Sequence, residues 1–409
     1  MRIKKLEMKN FRGFEELTIE FPEKGSAVFV GVNGAGKTSV LLCTTIMLKG
    51  MFLNMIDFKH DPFFSKNDVK LKEDNTTNKL IINFEENIHT IKTKFDFYDE
   101  LVVERRPDSN IFDLIRKDIL SDDKKNIPFF VFYPTNRNIE KNVSLKLKNV
   151  SNKSQLDSIY IPYNISFTKF FEWFRNMEDI ENEEIRFNNN INFRNKGLET
   201  VRNAITLMLP KFSNPRVQRQ PQEELIIEKD GEKLSISNLS HGEKAMFGMV
   251  GDIARRLSIA NPSLENPLEG EGIILIDEIE LHLHPGWQRT IVPRLEKTFP
   301  NIQFILTTHS PQVLSTMKKE NVFILEDFKL VQNTPHTFGK DSNSILYDLF
   351  AVSERPDEAK KDFKKLYQLI DDEAKVKEAK IEYEKMKEKY GDFDPEILKA
   401  GIHLDFLIE

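Results

Sequence analysis

The sequence predicts an α/β protein: a core split between two stretches of chain, with a β-rich N-terminal lobe, a helical insertion and a helical C-terminal region. Three observations carry this. The apolar run Ala27–Val30 enters a glycine-rich loop that opens a helix, a second run, Ile273–Ile276, ends on Asp277 and Glu278, and a third, Gln303–Thr307, ends on Thr308, His309 and Ser310. Short apolar runs bounded by turn and helix signals are how strands buried on both faces look in sequence.

The elements follow in order. Ile3, Leu6 and Met8 alternate with charged residues as a strand, which turns at Asn10-Phe11-Arg12-Gly13-Phe14 into a second strand, Leu17–Phe21. Strand-like segments continue at Leu80–Phe84, His89–Phe97, Leu101–Glu104 and Phe129–Tyr133, the last ending at Pro134-Thr135-Asn136-Arg137. The Lys-, Asn- and Ser-rich stretch Asn138–Gln155 reads as a mobile loop, and the first part of the core is placed at residues 1–160. Helical spacing over Phe167–Glu184 and Leu198–Leu209 marks an insertion at 161–215, too short for an extended coiled-coil arm. Val217–Ile236 reads as a hairpin around Asp230-Gly231. Helix Gly242–Ser258, strand Gly272–Ile276, helix Gly286–Thr298 and strand Gln303–Thr307 complete the core within 216–330, and a charged helical tail, Asp357–Tyr390, dominates 331–409.

A chain of 409 residues, 39% hydrophobic and 30% charged, has room for two or three lobes with sizeable cores and the balance of a soluble globular protein. The net charge of −6 excludes attraction of nucleic acid by the molecule as a whole. Any such contact needs a local basic surface, for which Arg105 with Arg106, Lys141–Lys153 and Arg255 with Arg256 are the candidates, against the ordinary alternative of solvated charge. Cys43 is the one cysteine, and the start Met1–Asn10 is not followed by a secretory apolar core, so a reducing, cytoplasmic location is expected. The most apolar stretch, Val40–Ile56, is interrupted by Lys49, Gly50 and Asn54, and no membrane segment is expected.

Gly31-Val32-Asn33-Gly34-Ala35-Gly36-Lys37-Thr38 fits G-x-x-x-x-G-K-[ST] in full. In such a loop the backbone N–H groups wrap phosphates, Lys37 neutralises β and γ oxygens, Thr38 holds Mg²⁺, and the helix continuing through Ser39 aims its positive end at the anion. Asp277, at a strand's carboxyl end, can hold Mg²⁺ through water, while Glu278 can orient and polarise an attacking water. Leu239-Ser240-His241-Gly242-Glu243 contains S-x-x-E, which by itself is a helix capping box. A glycine turn, a strand capped by solvated acids and a capping box would explain these runs singly. In this order and company they point to ATP.

With those motifs the chain resembles the ABC-ATPase heads, P-loop NTPases, of the SMC and RecF-like group, over roughly 1–60 and 235–315. The resemblance makes Leu239–Glu243 the signature, with Ser240 and Gly242 sensing the γ-phosphate of a second subunit's ATP, and His309 the switch histidine. It also implies that Asn10, Phe11 and Arg12 contact the nucleotide, beside Asn33, Gly34, Ala35, Gly36, Lys37, Thr38 and Ser39. The long stretch between phosphate loop and signature is where SMC-like proteins carry inserted arms. Two departures stand out. No Gln occupies a Q-loop, for which Asn136 is the substitute considered, and His284 stands where transporters keep an Asp in the D-loop. His282 and His284 lack a third ligand nearby, so a packed or hydrogen-bonded role outweighs zinc. The run from Asp277 to Arg289, with Phe132–Arg137 and Gly251–Leu257, further resembles stand-alone bacterial ATPases of anti-phage operons, the PtuA type of the Septu system among them.

What the resemblance implies is an ATPase, with ATP and Mg²⁺ as ligands, acting as a homodimeric switch whose heads sandwich two ATP molecules; assembly beyond the dimer is left open. Catalysis would fall to Lys37, Glu278 and His309, and Mg²⁺ to Thr38 and Asp277. The expected effector is a separate HNH-type nuclease, nucleic acid stays an open partner, and the alternative is a RecF/SMC-like DNA-maintenance ATPase. An intrinsic nuclease is discounted because Pro356-Asp357 and Glu373-Ala374-Lys375 spell a nuclease-like pattern in a strand-poor helical segment.

Overall fold

The computed structural model describes residues 1–54, 64–98, 125–137, 168–350 and 353–408. The expected strand Leu101–Glu104 and loop Asn138–Gln155 lie outside the described residues, as do Arg105, Arg106 and Lys141–Lys153. The chain forms two compact units, Met1–Ile345 and Leu346–Glu409.

Strands β1 (Arg2–Phe11), β2 (Phe14–Glu20), β4 (Asn75–Phe84) and β5 (Asn87–Asp96) make an antiparallel sheet in the order β2-β1-β4-β5. Between them in sequence, β3 (Ala27–Val30) joins a second sheet with β6 (Phe129–Tyr133), β10 (Gly272–Ile276), β11 (Ile302–Thr308), β12 (Val322–Glu326) and β13 (Lys329–Leu330). Its order is β13-β12-β3-β11-β10-β6, parallel except for β13 at the edge. Strands β3, β10 and β11 are buried at every residue, the physical reason their sequences are unbroken apolar runs. The two sheets are tied by Gln303, whose amide accepts from Ile3 N–H at 2.6 Å and donates to Ile3 C=O at 3.0 Å beside a register shift in β1. Leu6, Phe29, Val40, Leu275 and Ile305 share the resulting core.

Helix α1 (Lys37–Asn54) follows β3 directly. The insertion supplies α2 (Thr168–Phe187) and α3 (Lys196–Met208), and the signature run starts α4 (His241–Ala260). Phe170 and Phe171 of α2 pack on Phe247 of α4, with ring centroids 6.0 and 6.3 Å apart, and a Cβ at Gly251 would lie 2.3 Å from the Phe170 ring. Gly251 thus gives α2 its close approach. The hairpin expected around Asp230-Gly231 is part of a three-stranded sheet, because β7 (Phe212–Gln218) also pairs with β8 (Glu224–Lys229), which pairs with β9 (Glu232–Ser235).

The helix expected over Gly286–Thr298 is two, α5 (Pro285–Gln288) and α6 (Ile291–Thr298). Pro293 has no N–H to donate backward, so a helix can hold it only in the first turn, which forces a restart at Ile291. After α7 (Pro311–Leu314), α8 (Ser342–Phe350) ends the first unit and enters the second. There α9 (Asp357–Ile370), α10 (Val376–Tyr390) and α11 (Pro395–Ile408) enclose Phe363, Leu366, Ile370, Ala379, Met386, Ile397, Ala400 and Leu404. Arg355 grips Asp394 through both terminal nitrogens, at 3.0 and 2.7 Å. Among the described residues, no helix is long and apolar enough to cross a membrane.

Candidate functional site

Strand register decides what meets at the carboxyl end of the parallel sheet. Val30 pairs with Thr308, Leu306 with Ile276, and Ile276 with Tyr133, so the phosphate loop, Asp277–Glu278, Thr307–His309 and the segment after Tyr133 leave adjacent strands at one edge. Open parallel sheets hold ligands outside this edge.

The phosphate loop wraps because its glycines permit it. Gly36 has φ +103° and its Cβ would lie 2.5 Å from the Phe14 ring, so a side chain there is excluded twice over. Ala35 is buried, while Asn33, Gly34 and Thr38 are exposed and Gly36 and Ser39 half-buried around the N-terminus of α1. Lys37 is buried, and its ammonium donates to Gly31 C=O at 3.0 Å and Val32 C=O at 3.1 Å. Burial lowers its pKa, opposed by the carboxylates of Asp277, Glu278 and Glu280. The Thr38 hydroxyl contacts both Asp277 oxygens, at 3.2 and 2.9 Å. A hydroxyl and a carboxylate already facing each other, beside an ammonium and a helix N-terminus, are the hard oxygen donors and cationic wall that a magnesium-phosphate group fits.

Thr307 Oγ1 donates to Asp277 Oδ1 at 2.6 Å and accepts from Glu278 N–H at 2.7 Å. Glu280 accepts from the Thr308 hydroxyl at 2.8 Å and from His309 N–H, fixing the loop that carries His309. Burial, then the nearby Lys37 charge, lowers the His309 pKa, which favours the neutral imidazole, a form that can both donate and accept. Arg137, buried under the end of β10, donates to the carbonyls of Pro134, Asp277 and Glu278 at 3.1, 2.6 and 2.7 Å. Arg137, rather than the neighbouring Asn136 considered from sequence, makes these contacts. Thr307, Glu280 and Arg137 carried no motif of their own, although Arg137 closes the Phe132–Arg137 run and Thr307 precedes the switch histidine.

Ser240 caps α4 in a reciprocal capping box, accepting from Glu243 N–H at 3.3 Å while Glu243 takes Ser240 N–H at 3.0 Å. Lys229 adds a bond to Glu243 at 2.6 Å. Ser240 and His241 are exposed, whereas Gly242 is buried. A Cβ on Gly242 would lie 2.2 Å from the His282 carbonyl oxygen, so close approach at this glycine is to the chain's own D-loop stretch. His282, at φ +64°, lies 6.5 Å ring to ring from His241, and His284 Nδ1 caps α5 by accepting from Gly286 N–H at 3.1 Å. That N-cap is a task an Asp also performs.

The β1–β2 turn corrects one assignment. Phe11 is fully buried and packs edge-on against Phe64 at 6.0 Å, so its ring belongs to the core. Asn10 donates to Glu73 at 2.9 Å, and Arg12 is held by the buried Asp68 at 2.8 Å. A second correction concerns Arg255 and Arg256. Both are buried and paired with Asp252 at 2.8 Å, while Tyr133 donates to the same carboxylate at 2.9 Å. They are therefore no basic surface. Burial would raise the Asp252 pKa, but the two guanidiniums hold it well below the usual carboxylate range.

An α/β sheet whose phosphate loop, paired acids, His309 loop and neighbouring capped helix follow one another in this way defines a P-loop ATPase. The chain belongs to the family described as AAA domain, putative AbiEii toxin, Type IV TA system, whose model matches residues 26–315. It is 30% identical to the Retron Vc95 probable ATPase of Vibrio cholerae serotype O1 biovar El Tor, over 87% of this chain and 80% of that protein. It is 24% identical to the Septu protein PtuA of Bacillus mycoides (strain KBAB4), over 96% of this chain but 51% of the relative. A solved SmcHead bound to the C-winged helix domain of ScpA is also similar, with 18% identity, a TM-score of 0.48, and coverage of 82% of this chain and 98% of the other.

Proposed function

We propose that this ATPase is a nucleotide-switched dimeric regulator in anti-phage defence, with a separate nuclease of HNH type as effector. Lys37, Thr38, Asp277 and Glu278 of one subunit bind ATP, and Ser240 and Gly242 of the other close over its γ-phosphate. Thr38 and Asp277 would hold Mg²⁺, which when bound would supply charge neutralisation at the phosphates. Glu278 polarises the attacking water, and the neutral His309 offers a hydrogen bond to the γ-phosphate. Hydrolysis then opens the pair, and differential ATP affinity of open and closed states biases whatever is bound. The observation supporting this reading best is the exposed Ser240–His241 start of α4, a helix N-terminus suited to an anion from outside the subunit. The defence setting rests on the names of relatives from retron and Septu systems. The RecF-like alternative loses Arg255 and Arg256 as candidate DNA contacts.

Ser240→Arg places bulk and charge at the partner's γ-phosphate while leaving the chain's own phosphate loop intact. ATP-dependent association, followed by analytical ultracentrifugation, should weaken at least about tenfold, roughly 1.4 kcal/mol, with nucleotide affinity of the monomer unchanged. Association that persists undiminished excludes the composite site.

The same reading expects no nucleic-acid cleavage by this polypeptide alone, because its best-placed acids, Asp277 and Glu278, are committed to ATP chemistry. The nuclease-like residues of the tail sit differently: Asp357 opens α9, and Lys375 pairs with Asp372 at 2.9 Å. Purified protein should leave plasmid, single-stranded DNA and RNA intact in Mg²⁺ or Mn²⁺, with or without ATP. Cleavage that disappears on Glu373→Ala or Lys375→Ala overturns this part.

A further inference from the structure

Glu278 has φ +48°, in the left-handed region where a side chain costs roughly 1–2 kcal/mol. A residue stays there only when its surroundings over-determine it. Here two residues between them bond all four polar atoms of the two peptide groups flanking Glu278, whose carbonyl also accepts from Leu281 N–H at 3.0 Å. Arg137 donates to both carbonyls, Asp277 at 2.6 Å and Glu278 at 2.7 Å. Thr307 accepts both N–H groups, Glu278 through its hydroxyl at 2.7 Å and Ile279 through its carbonyl at 3.0 Å.

The arginine is an expensive choice for this place. It is 7% exposed, and burial lowers its pKa against the opposing pull of Asp277, Glu280 and Glu278. Desolvating a guanidinium onto neutral carbonyls carries a cost that an apolar side chain of similar volume would avoid. What the guanidinium adds is a rigid planar fork that spans two successive carbonyls, which the single ammonium of a lysine cannot reproduce.

We infer that Arg137, with Thr307 opposite it, is a positioning residue for ATP hydrolysis: the clamp fixes the Asp277–Ile279 backbone and thereby aims the Glu278 carboxylate. The inference rests on the reading of Glu278 as the water-polarising group. Because Arg137 acts through Glu278, its loss costs turnover only while Glu278 is functional, whereas a general structural role costs turnover in any background.

The test is a double-mutant cycle on the full chain, with single-turnover ATP hydrolysis, calorimetric affinity for a non-hydrolysable ATP analogue and thermal melting as readouts. Arg137→Met should lower the hydrolysis rate about 10²-fold, the effect of misplacing a catalytic group by about 1 Å, with analogue affinity within about threefold of wild type. Arg137→Lys should recover part of the rate. In a Glu278→Gln background, Arg137→Met should cause no further loss. An equal loss in both backgrounds, or an unchanged rate in the single variant, overturns the inference. If Glu278→Gln alone leaves hydrolysis intact, the reading of Glu278 fails, and that single variant shows it independently. Should Arg137→Met not fold, Arg137→Lys, which keeps the charge but loses the planar fork, is read in both backgrounds and is expected to show the same dependence on Glu278.

Discussion

Lys37→Ala is expected to abolish ATP binding measurable at micromolar protein. The ammonium spends its hydrogen bonds on the Gly31 and Val32 carbonyls, two neutral acceptors of the loop that would surround the phosphates. Exchange of those neutral acceptors for anionic phosphate oxygens adds attraction between full opposite charges, and a hydrogen bond to a charged group is worth roughly 1.5–3 kcal/mol. Burial amplifies the gain, since the lysine pays desolvation before any ligand arrives and a phosphate charge then offsets it. Alanine loses this and also strips two loop carbonyls of their donor. A loss of about 3 kcal/mol or more corresponds to over a hundredfold in affinity. Calorimetry checks it, and equal affinities in variant and wild type would remove Lys37 from the ATP site altogether.

The parallel sheet and the segments that meet at its edge were legible because each signal was local. Gly31–Thr38 needs only its own glycines to wrap, and Ile273–Glu278 carries strand and acids in one run. Helix α4 likewise announced its start through Ser240 and Glu243, whose reciprocal bonds span one turn. What stayed hidden depends on distant pairs. Arg137 meets Asp277 and Glu278 only because β6 lies beside β10, and Asp68 meets Arg12 across a loop with no motif. Arg255 and Arg256 read as surface charge because, although their partner Asp252 is one helical turn away, nothing local reveals that all three are buried and that Tyr133 of the distant β6 donates to the same carboxylate. The Phe11 assignment erred for a related reason: the turn was recognised by its pattern, while the inward register of β1 that buries the ring depends on its neighbours β2 and β4.

Glu278→Gln is expected to leave ATP affinity within about twofold of wild type and to slow hydrolysis by roughly 10²–10⁴-fold, the range for loss of a positioned general base. Glutamine preserves size and hydrogen-bonding shape but cannot take up a proton or bear the charge that polarises water. The backbone clamp from Arg137 and Thr307 engages only the peptide groups of residue 278, so the substitution leaves its bonds in place. Lys37, Thr38 and Asp277 are likewise untouched, which is why binding survives. Loss of turnover with retained binding should trap the ATP-closed pair, making a long-lived dimer visible by size-exclusion chromatography when ATP and Mg²⁺ are present. His309 is not expected to compensate. Its neutral imidazole sits beside the Lys37 charge, which disfavours the proton that a substitute base would have to accept. Hydrolysis within threefold of wild type would therefore assign the water-polarising role elsewhere, while slow hydrolysis without ATP-dependent dimerisation would retain the catalytic glutamate and reject the sandwich.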